Sequence, residues 1–162
     1  MTIVVIVLII ALGFYIFFTK MRKIKKVEII IPPKMDYTYT TEELELINLI
    51  NDYRLSVNLN VLGVINHISY KCEEHNIDMI TAGIASHNGF VTRSEDIIKV
   101  LNCKTVGENV AYNFKTPQST LTAWLNSPEH KENIEGKFTH TGLSARQDSN
   151  GKKYYTNIFI LQ

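Results

Sequence analysis

Apolar residues recur along the chain with two periods, a helical one first and a strand-like one towards the end. Apolar positions at steps of three and four predict a helix over residues 41–56 and a second helix over residues 65–82. Thr40 and Glu43 have the spacing of a capping box before the first helix, and Gly83 follows the second. Both helices are therefore expected to bury one face against a core.

Shorter elements with clear start signals occupy the middle of the chain. Ser94 is expected to cap a short helix, and the alternating run over residues 106–114 is expected to form a strand. Thr116-Pro117 and Ser127-Pro128 each place a capping residue before a proline. These two pairs predict two further helices, the second of which ends near Gly136.

The C-terminal part of the chain has the pattern of a β-hairpin. Residues 139–147 and 154–161 are strand-like, and the turn between them contains Asn150-Gly151. In the second run the residues of both faces are apolar or aromatic, which indicates a strand that is covered on both sides. Because helices precede and separate the strands, the predicted fold class is α+β, arranged as a three-layer α-β-α sandwich.

The amino terminus is a continuous apolar segment. Residues 3–18 carry no charge and are followed by a basic cluster, which predicts a single-pass transmembrane anchor over residues 1–20. A cleaved signal peptide is the weaker alternative, because a charged n-region and a small-residue cleavage site are both missing. Residues 21–40, which include Pro32-Pro33, are expected to form a basic linker to a domain over residues 41–162.

Charge is distributed unevenly along the chain. By the positive-inside rule, the basic residues within 20–26 favour a cytoplasmic position for the part of the chain that follows the anchor. Residues 36–162 carry 11 basic and 15 acidic residues, and an acidic body is a poor binder of polyanions. We therefore expect no nucleic-acid partner.

The two cysteines do not form a recognisable metal or redox motif. Cys72 and Cys103 lack CxxC spacing, and Cys72 lies on the apolar stripe of the second predicted helix. Cys72 is therefore expected to pack as a small apolar residue. The sequence leaves open whether the two cysteines pair.

Three side chains are candidates for chemistry in one cleft. Glu108 stands in an apolar strand, where a carboxylate requires a partner, and His87 lies on a loop. His130 falls in the first turn of a predicted helix. Two imidazoles and a carboxylate could ligate a divalent metal with an open position, or could act as an acid-base pair. Arg93 is a candidate to pair with an acid.

A purely structural interpretation of these residues is also open. Glu108 and Asn109 could bond backbone groups, while the segment from Ser127 to His130 starts a helix. Among the other histidines, His75 lies on an apolar stripe and is expected at the edge of the core with a hydrogen bond. His67 is expected to face solvent.

Several motifs together resemble the CAP superfamily, which includes the cysteine-rich secretory proteins, antigen 5 and the plant pathogenesis-related proteins. The resemblance covers about residues 42–161 and is closest to the bacterial, cysteine-poor branch. It is carried by five stretches of sequence: Ser86-His87 with Phe90 and Arg93, Gly107-Glu108-Asn109-Val110-Ala111, Trp124 to Ile134, Phe138-Thr139-His140-Thr141-Gly142, and Tyr154 to Phe159.

The resemblance implies an α-β-α sandwich with a large cleft that holds two histidines and two acidic residues, sometimes with zinc. His87 matches the first family histidine, and Glu108 matches the acid of the Gly-Glu-Asn motif. This chain has Ser127 where the family has an acid, and Tyr154 where the family has a histidine. His130 could supply the missing imidazole. The predicted cleft therefore consists of six residues: His87, Glu108, Asn109, Ser127, His130 and Tyr154.

Zn²⁺ is the one cofactor that the resemblance suggests, with His87 and His130 as its predicted ligands. Because a tyrosine phenol is a poor zinc ligand at neutral pH, Tyr154 weakens that hypothesis. The resemblance also implies an extracytoplasmic domain, against the orientation that the basic cluster favours.

Three functions remain open at the level of sequence. The favoured one is a non-enzymatic binding module at the membrane surface, whose partner is a small ligand, a lipid or a peptide. The alternative is a peptidase or esterase that uses His87 and Glu108, with or without zinc. The third is a scaffold domain with a vestigial cleft. The absence of a known nucleophile motif favours binding.

Overall fold

The computed structural model describes residues 36–162, which form a mixed α/β fold with five helices and one four-stranded sheet. The elements in chain order are α1 (Thr41–Ser56), β1 (Gly63–Val64), α2 (Asn66–Ala82), α3 (Phe90–Leu101), β2 (Thr105–Tyr112), α4 (Pro117–Leu125), α5 (Pro128–Ile134), β3 (His140–Gln147) and β4 (Lys153–Leu161).

The ends of α1 and α2 follow from local sequence signals. The Thr40 hydroxyl accepts a hydrogen bond from the Glu43 amide, and the Glu43 carboxylate accepts one from the Thr40 amide at 2.8 Å. Gly83 ends α2 with a φ of 70°, a left-handed conformation that glycine adopts readily. The predicted extents of these two helices are confirmed.

Helix α3 differs from its prediction. It begins at Phe90 rather than at Ser94, directly after Gly89, which has a φ of 75°. The Ser94 hydroxyl does not cap a helix but donates to the Val91 carbonyl within α3. The predicted cap was therefore wrong, because a serine inside a helix can bond the preceding turn instead of starting a new one.

Strand order places β2 at one edge of the sheet. The order is β1-β3-β4-β2, with β1 parallel to β3 and the other two pairs antiparallel. The predicted hairpin of β3 and β4 is confirmed, and its turn contains Gly151 at a φ of 79°. The sequence pattern contained no sign of β1.

Helices cover both faces of the sheet. On one face, α1, α4 and α5 pack against Tyr155 and Phe159 of β4, with Trp124 fully inside this cluster. On the other face, α2 and α3 pack against Ile158 and Ile160. Strand β4 is buried on both sides, as its sequence predicted.

A close backbone approach holds α2 on its face of the sheet. A Cβ atom added to Gly142 of β3 would lie 2.6 Å from the carbonyl carbon of Ile68 in α2. No side chain fits in that space, so only glycine allows this approach. The contact fixes the position of α2 above the strands.

The last residues of the predicted linker contact the domain. The Tyr37 hydroxyl donates to a Glu43 carboxylate oxygen at 2.7 Å, and the Tyr39 hydroxyl lies 2.7 Å from the Ser69 hydroxyl. These bonds tie residues 37–39 to both α1 and α2.

Three further predictions concern the membrane anchor, the two cysteines and His67. The predicted membrane anchor lies outside the described residues, and within residues 36–162 no helix is long and apolar enough to cross a membrane. Cys72 and Cys103 are free and buried in the same cluster with α2 and α3. The solvent-facing position predicted for His67 was wrong, since His67 is 9% exposed at the start of α2.

Candidate functional site

Glu108 is the buried centre of the candidate site. Its side chain, on β2, is 1% exposed. One carboxylate oxygen accepts a hydrogen bond from Arg93 Nε at 2.8 Å, and the other accepts from Arg93 Nη2 at 2.9 Å. Because a buried carboxylate requires a charged or hydrogen-bonded partner, this fork explains how the strand tolerates an acid. Arg93 is the acid-pairing residue that the sequence suggested.

His87 contacts the same carboxylate from the loop before α3. Its Nδ1 atom lies 2.9 Å from Glu108 Oε1, and its side chain is 52% exposed. A carboxylate only accepts hydrogen bonds here, so Nδ1 must carry the proton. The other ring nitrogen, Nε2, does not contact Glu108.

His75 anchors the loop that carries His87. It is 2% exposed, and its Nε2 donates to the Ser86 carbonyl at 2.8 Å, just before His87. Burial lowers the pKa of His75, and the nearby Arg93 charge lowers it further. The prediction of a core-edge histidine with a hydrogen bond is confirmed.

An open pocket of about 410 Å³ lies beside His87. The His87 and His130 rings both line it, with their centroids 6.4 Å apart. Burial lowers the pKa of His130, and the neighbouring His87 adds to this effect. The remaining lining is mainly apolar: Ala85, Val110, Ala111, Tyr112, Phe114, Ala123 and Trp124, with Ser86 and Ser127 as further polar residues.

Asn109 does not line the pocket, but it bonds the start of α5, which carries His130. Asn109 is fully buried, and its amide donates to the His130 carbonyl at 2.9 Å. Asn133 of α5 donates to the Glu108 carbonyl at 3.2 Å and to Asn109 Oδ1 at 2.9 Å. These bonds fix the start of α5 against β2. Asn133 lies in one of the motifs that carry the family resemblance, but no local pattern indicated its role here.

The two residues that depart from the family pattern occupy different places. Ser127 takes the N-cap position of α5, but its hydroxyl makes no capping bond and the residue lines the pocket. Tyr154 is 1% exposed, and its ring lies 4.7 Å from the Tyr112 ring in a cluster with Met79. The described pocket therefore includes Ser127 and does not include Tyr154.

The donor atoms do not suit the predicted zinc ion. A catalytic zinc requires about three protein ligands, whereas both Glu108 oxygens already accept bonds from Arg93. His87 and His130 alone are too few ligands. Across residues 36–162 no group of three or more His, Cys, Asp or Glu side chains is arranged to hold a metal ion. The residues of this site therefore do not fit a zinc ion.

Comparison with a known family covers most of the described domain. The sequence model with the description "CAP: Cysteine-rich secretory protein family" matches residues 47–161, which is more than half of the chain.

Two curated relatives come from Bacillus subtilis (strain 168). The uncharacterized protein YkwD is 31% identical over 105 residues, which cover 62% of this chain and 41% of YkwD. The uncharacterized membrane protein YlbC is 27% identical over 128 residues, which cover 75% of this chain and 35% of YlbC. The chain thus spans less than half the length of either relative.

Two solved structures have the same fold. An outer surface protein from Borrelia burgdorferi superposes with a TM-score of 0.69 at 21% identity, covering 77% of this chain and 96% of that one. An extracellular protein with an SCP domain from Bacillus anthracis str. Ames gives a TM-score of 0.66 at 25% identity, covering 75% and 40%. Related proteins are therefore described as extracellular or as membrane proteins.

Proposed function

The chain belongs to the CAP, or cysteine-rich secretory protein, family, and from that premise we propose that its domain binds a ligand in the pocket beside His87. The observation that carries this proposal is the pocket itself. Its volume of about 410 Å³ falls in the range of small-ligand sites, and its lining is mainly apolar with a few polar groups. In residues 36–162, no serine or cysteine side chain bonds to His87 or His130, as an activated nucleophile would.

The chemistry of the lining indicates which chemical groups such a ligand would carry. Tyr112 and Phe114 provide apolar contact for the body of a small ligand, a lipid or a peptide. The Nε2 atom of His87, the ring nitrogen that does not contact Glu108, is available for a hydrogen bond with a polar group on the ligand. Glu108 and Arg93 neutralise each other and hold His87 in place.

We further propose that the domain works at a membrane surface on the extracytoplasmic side. The apolar residues 3–18 and the descriptions of the relatives support this location, whereas the basic residues 20–26 favour the opposite orientation. A cysteine introduced at Lys34, after replacement of Cys72 and Cys103, tests the proposal. Labelling of intact cells by a membrane-impermeant maleimide would support it, and labelling only after lysis would contradict it.

Filling the pocket tests the binding proposal. Ala123 lines the pocket from α4, and Ala123→Leu would occupy part of its volume. Ala82→Leu is the matched control, because Ala82 is exposed at the end of α2 and lies outside this pocket. The full chain and both variants are titrated with sodium palmitate and with a mixed hexapeptide pool while Trp124 fluorescence is followed.

Saturable binding that weakens about tenfold or more in Ala123→Leu and is unchanged in Ala82→Leu would support a ligand pocket. Binding that is equal in all three chains would place the ligand elsewhere. The absence of any saturable binding would favour a scaffold domain.

Hydrolysis is the second candidate, because one observation favours it. The 2.9 Å contact of His87 Nδ1 with Glu108 has the geometry of a base and its orienting acid. A screen with fluorogenic peptides and nitrophenyl esters that detects turnover lost in His87→Ala would support an enzyme. Turnover that persists in His87→Ala would come from a contaminant or from another site.

A further inference from the structure

The outer edge of β2 presents backbone groups towards the pocket. The carbonyl of Val110 accepts a hydrogen bond from Trp124 Nε1 at 3.1 Å, and that of Glu108 accepts from Asn133, so both carbonyls face away from β4. In an antiparallel ladder the N–H and C=O of one residue point to the same side, and that side alternates along the strand. The N–H of Val110 and both backbone groups of Tyr112 therefore face the same outer edge.

These three backbone groups have no partner among residues 36–162. The next residue, Asn113, donates to the Lys153 carbonyl, which confirms that the odd-numbered residues face β4. Neither the Val110 nor the Tyr112 N–H donates to a side chain, and no described group donates to the Tyr112 carbonyl. Side chains of α4 and α5 bond this edge at two carbonyls, Trp124 at Val110 and Asn133 at Glu108.

The pocket lies along this open edge, since Val110, Tyr112 and Phe114 all line it. Resting on the binding function proposed above, we infer that the pocket takes an extended peptide, which adds a short strand to the outer edge of β2. A lipid chain in the same place would cover the two donors and the acceptor without pairing them, which is unfavourable. A peptide backbone satisfies all three groups.

The length and charge of the peptide follow from the same residues. Pairing with Val110 and Tyr112 spans two positions of β2, which corresponds to a segment of about three to five extended residues. Lys152 Nζ lies 5.9 Å from the centroid of the Tyr112 ring, so a carboxylate near this point of the peptide would be favoured. The proposed partner is therefore a short extended segment with apolar side chains and an acidic group or a free carboxyl terminus.

Two matched variants of Tyr112 isolate the backbone contribution. Tyr112→Ala and Tyr112→Pro both remove the ring, but only the proline removes the N–H. Proline is tolerated on an edge strand where that N–H is not part of the ladder. Circular dichroism and Trp124 fluorescence verify that both variants of the full chain keep the fold.

The probe is an equimolar pool of acetylated hexapeptides with free carboxyl termini. A second pool of the same sequences carries N-methyl groups on alternate residues, which removes backbone donors and keeps the side chains. We expect the unmethylated pool to shift the amide resonances of Val110 and Tyr112. We also expect binding about tenfold weaker in Tyr112→Pro than in Tyr112→Ala, and weaker for the methylated pool.

The outcomes separate this inference from the proposed function. Equal binding of both pools, or equal affinity in the two Tyr112 variants, would overturn strand addition while leaving a ligand pocket. Palmitate binding that is lost in Ala123→Leu, together with no peptide binding, would also overturn strand addition and leave a ligand pocket. If neither palmitate nor peptide binds, the proposed function fails as well. Should Tyr112→Pro not fold, the comparison of the two pools still decides the question.

Discussion

Removing the guanidinium of Arg93 tests whether the ion pair holds Glu108 in the sheet. Arg93→Met keeps an unbranched side chain but leaves a carboxylate that is 1% exposed. Among residues 36–162, its remaining side-chain hydrogen-bond partner is then His87. An uncompensated buried charge destabilises a protein by about 3–5 kcal/mol. His87 still bonds the carboxylate at 2.9 Å in this variant, so we expect the lower end of this range, about 3 kcal/mol.

The measurement is urea unfolding followed by the fluorescence of Trp124, the single tryptophan of the chain. Lys71→Met is the control, because Lys71 pairs with Asp96, whose side chain is 54% exposed, and should lose less than about 1 kcal/mol. The double variant Arg93→Met/Glu108→Gln should recover part of the loss, since it removes both charges. If Arg93→Met is no more destabilising than Lys71→Met, the ion pair does not stabilise the site.

Three further predictions concern pH, packing and a second buried carboxylate. Burial is the first cause of a lowered pKa in three histidines: His67, His75 and His130. Below pH 6.5, the ordinary pKa of a histidine, the unfolded chain therefore binds more protons than the folded chain. The contribution of these histidines to the free energy of unfolding is fully present above pH 6.5 and is lost as the pH falls below that value. Unfolding free energies at pH 7.5 and 5.5 measure this decline, and a profile without slope would contradict it. Gly142→Ala should destabilise by about 2–3 kcal/mol, because its Cβ would meet the α2 backbone. Thermal unfolding compares it with Gly83→Ala, which meets no atoms but has a positive φ and should lose only about 1 kcal/mol. Glu43→Gln should lose about 2 kcal/mol in urea unfolding, because this fully buried carboxylate accepts bonds from the Ala145 amide and from Arg146 that an amide group cannot all replace. A loss no greater than that of Lys71→Met would refute the last expectation.

The sequence alone determined the elements that depend on neighbouring residues. The bounds of α1 and the end of α2 follow from capping residues and from an apolar stripe of helical period, and the hairpin follows from its turn. The need of Glu108 for a partner was likewise readable, because a carboxylate in an apolar strand is unfavourable wherever that strand lies. Family membership also follows from short motifs whose order is preserved along the chain.

Tertiary structure decided which groups meet. Arg93 and His87 reach Glu108 because α3 starts at Phe90 and lies over β2, and no local pattern encodes that placement. Tertiary structure also placed Tyr154 and His67 elsewhere than the sequence predicted.

Tyr154 points into the core because strand register assigns alternate residues of β4 to opposite faces, and His67 is buried although it lies off the apolar stripe of α2. The open edge of β2 exists only because the strand order leaves β2 outermost. Local periodicity specifies helices and strands, whereas strand order and side-chain facing depend on contacts between residues far apart in the chain. The elements could therefore be predicted from the sequence, while the pocket and its edge required the fold.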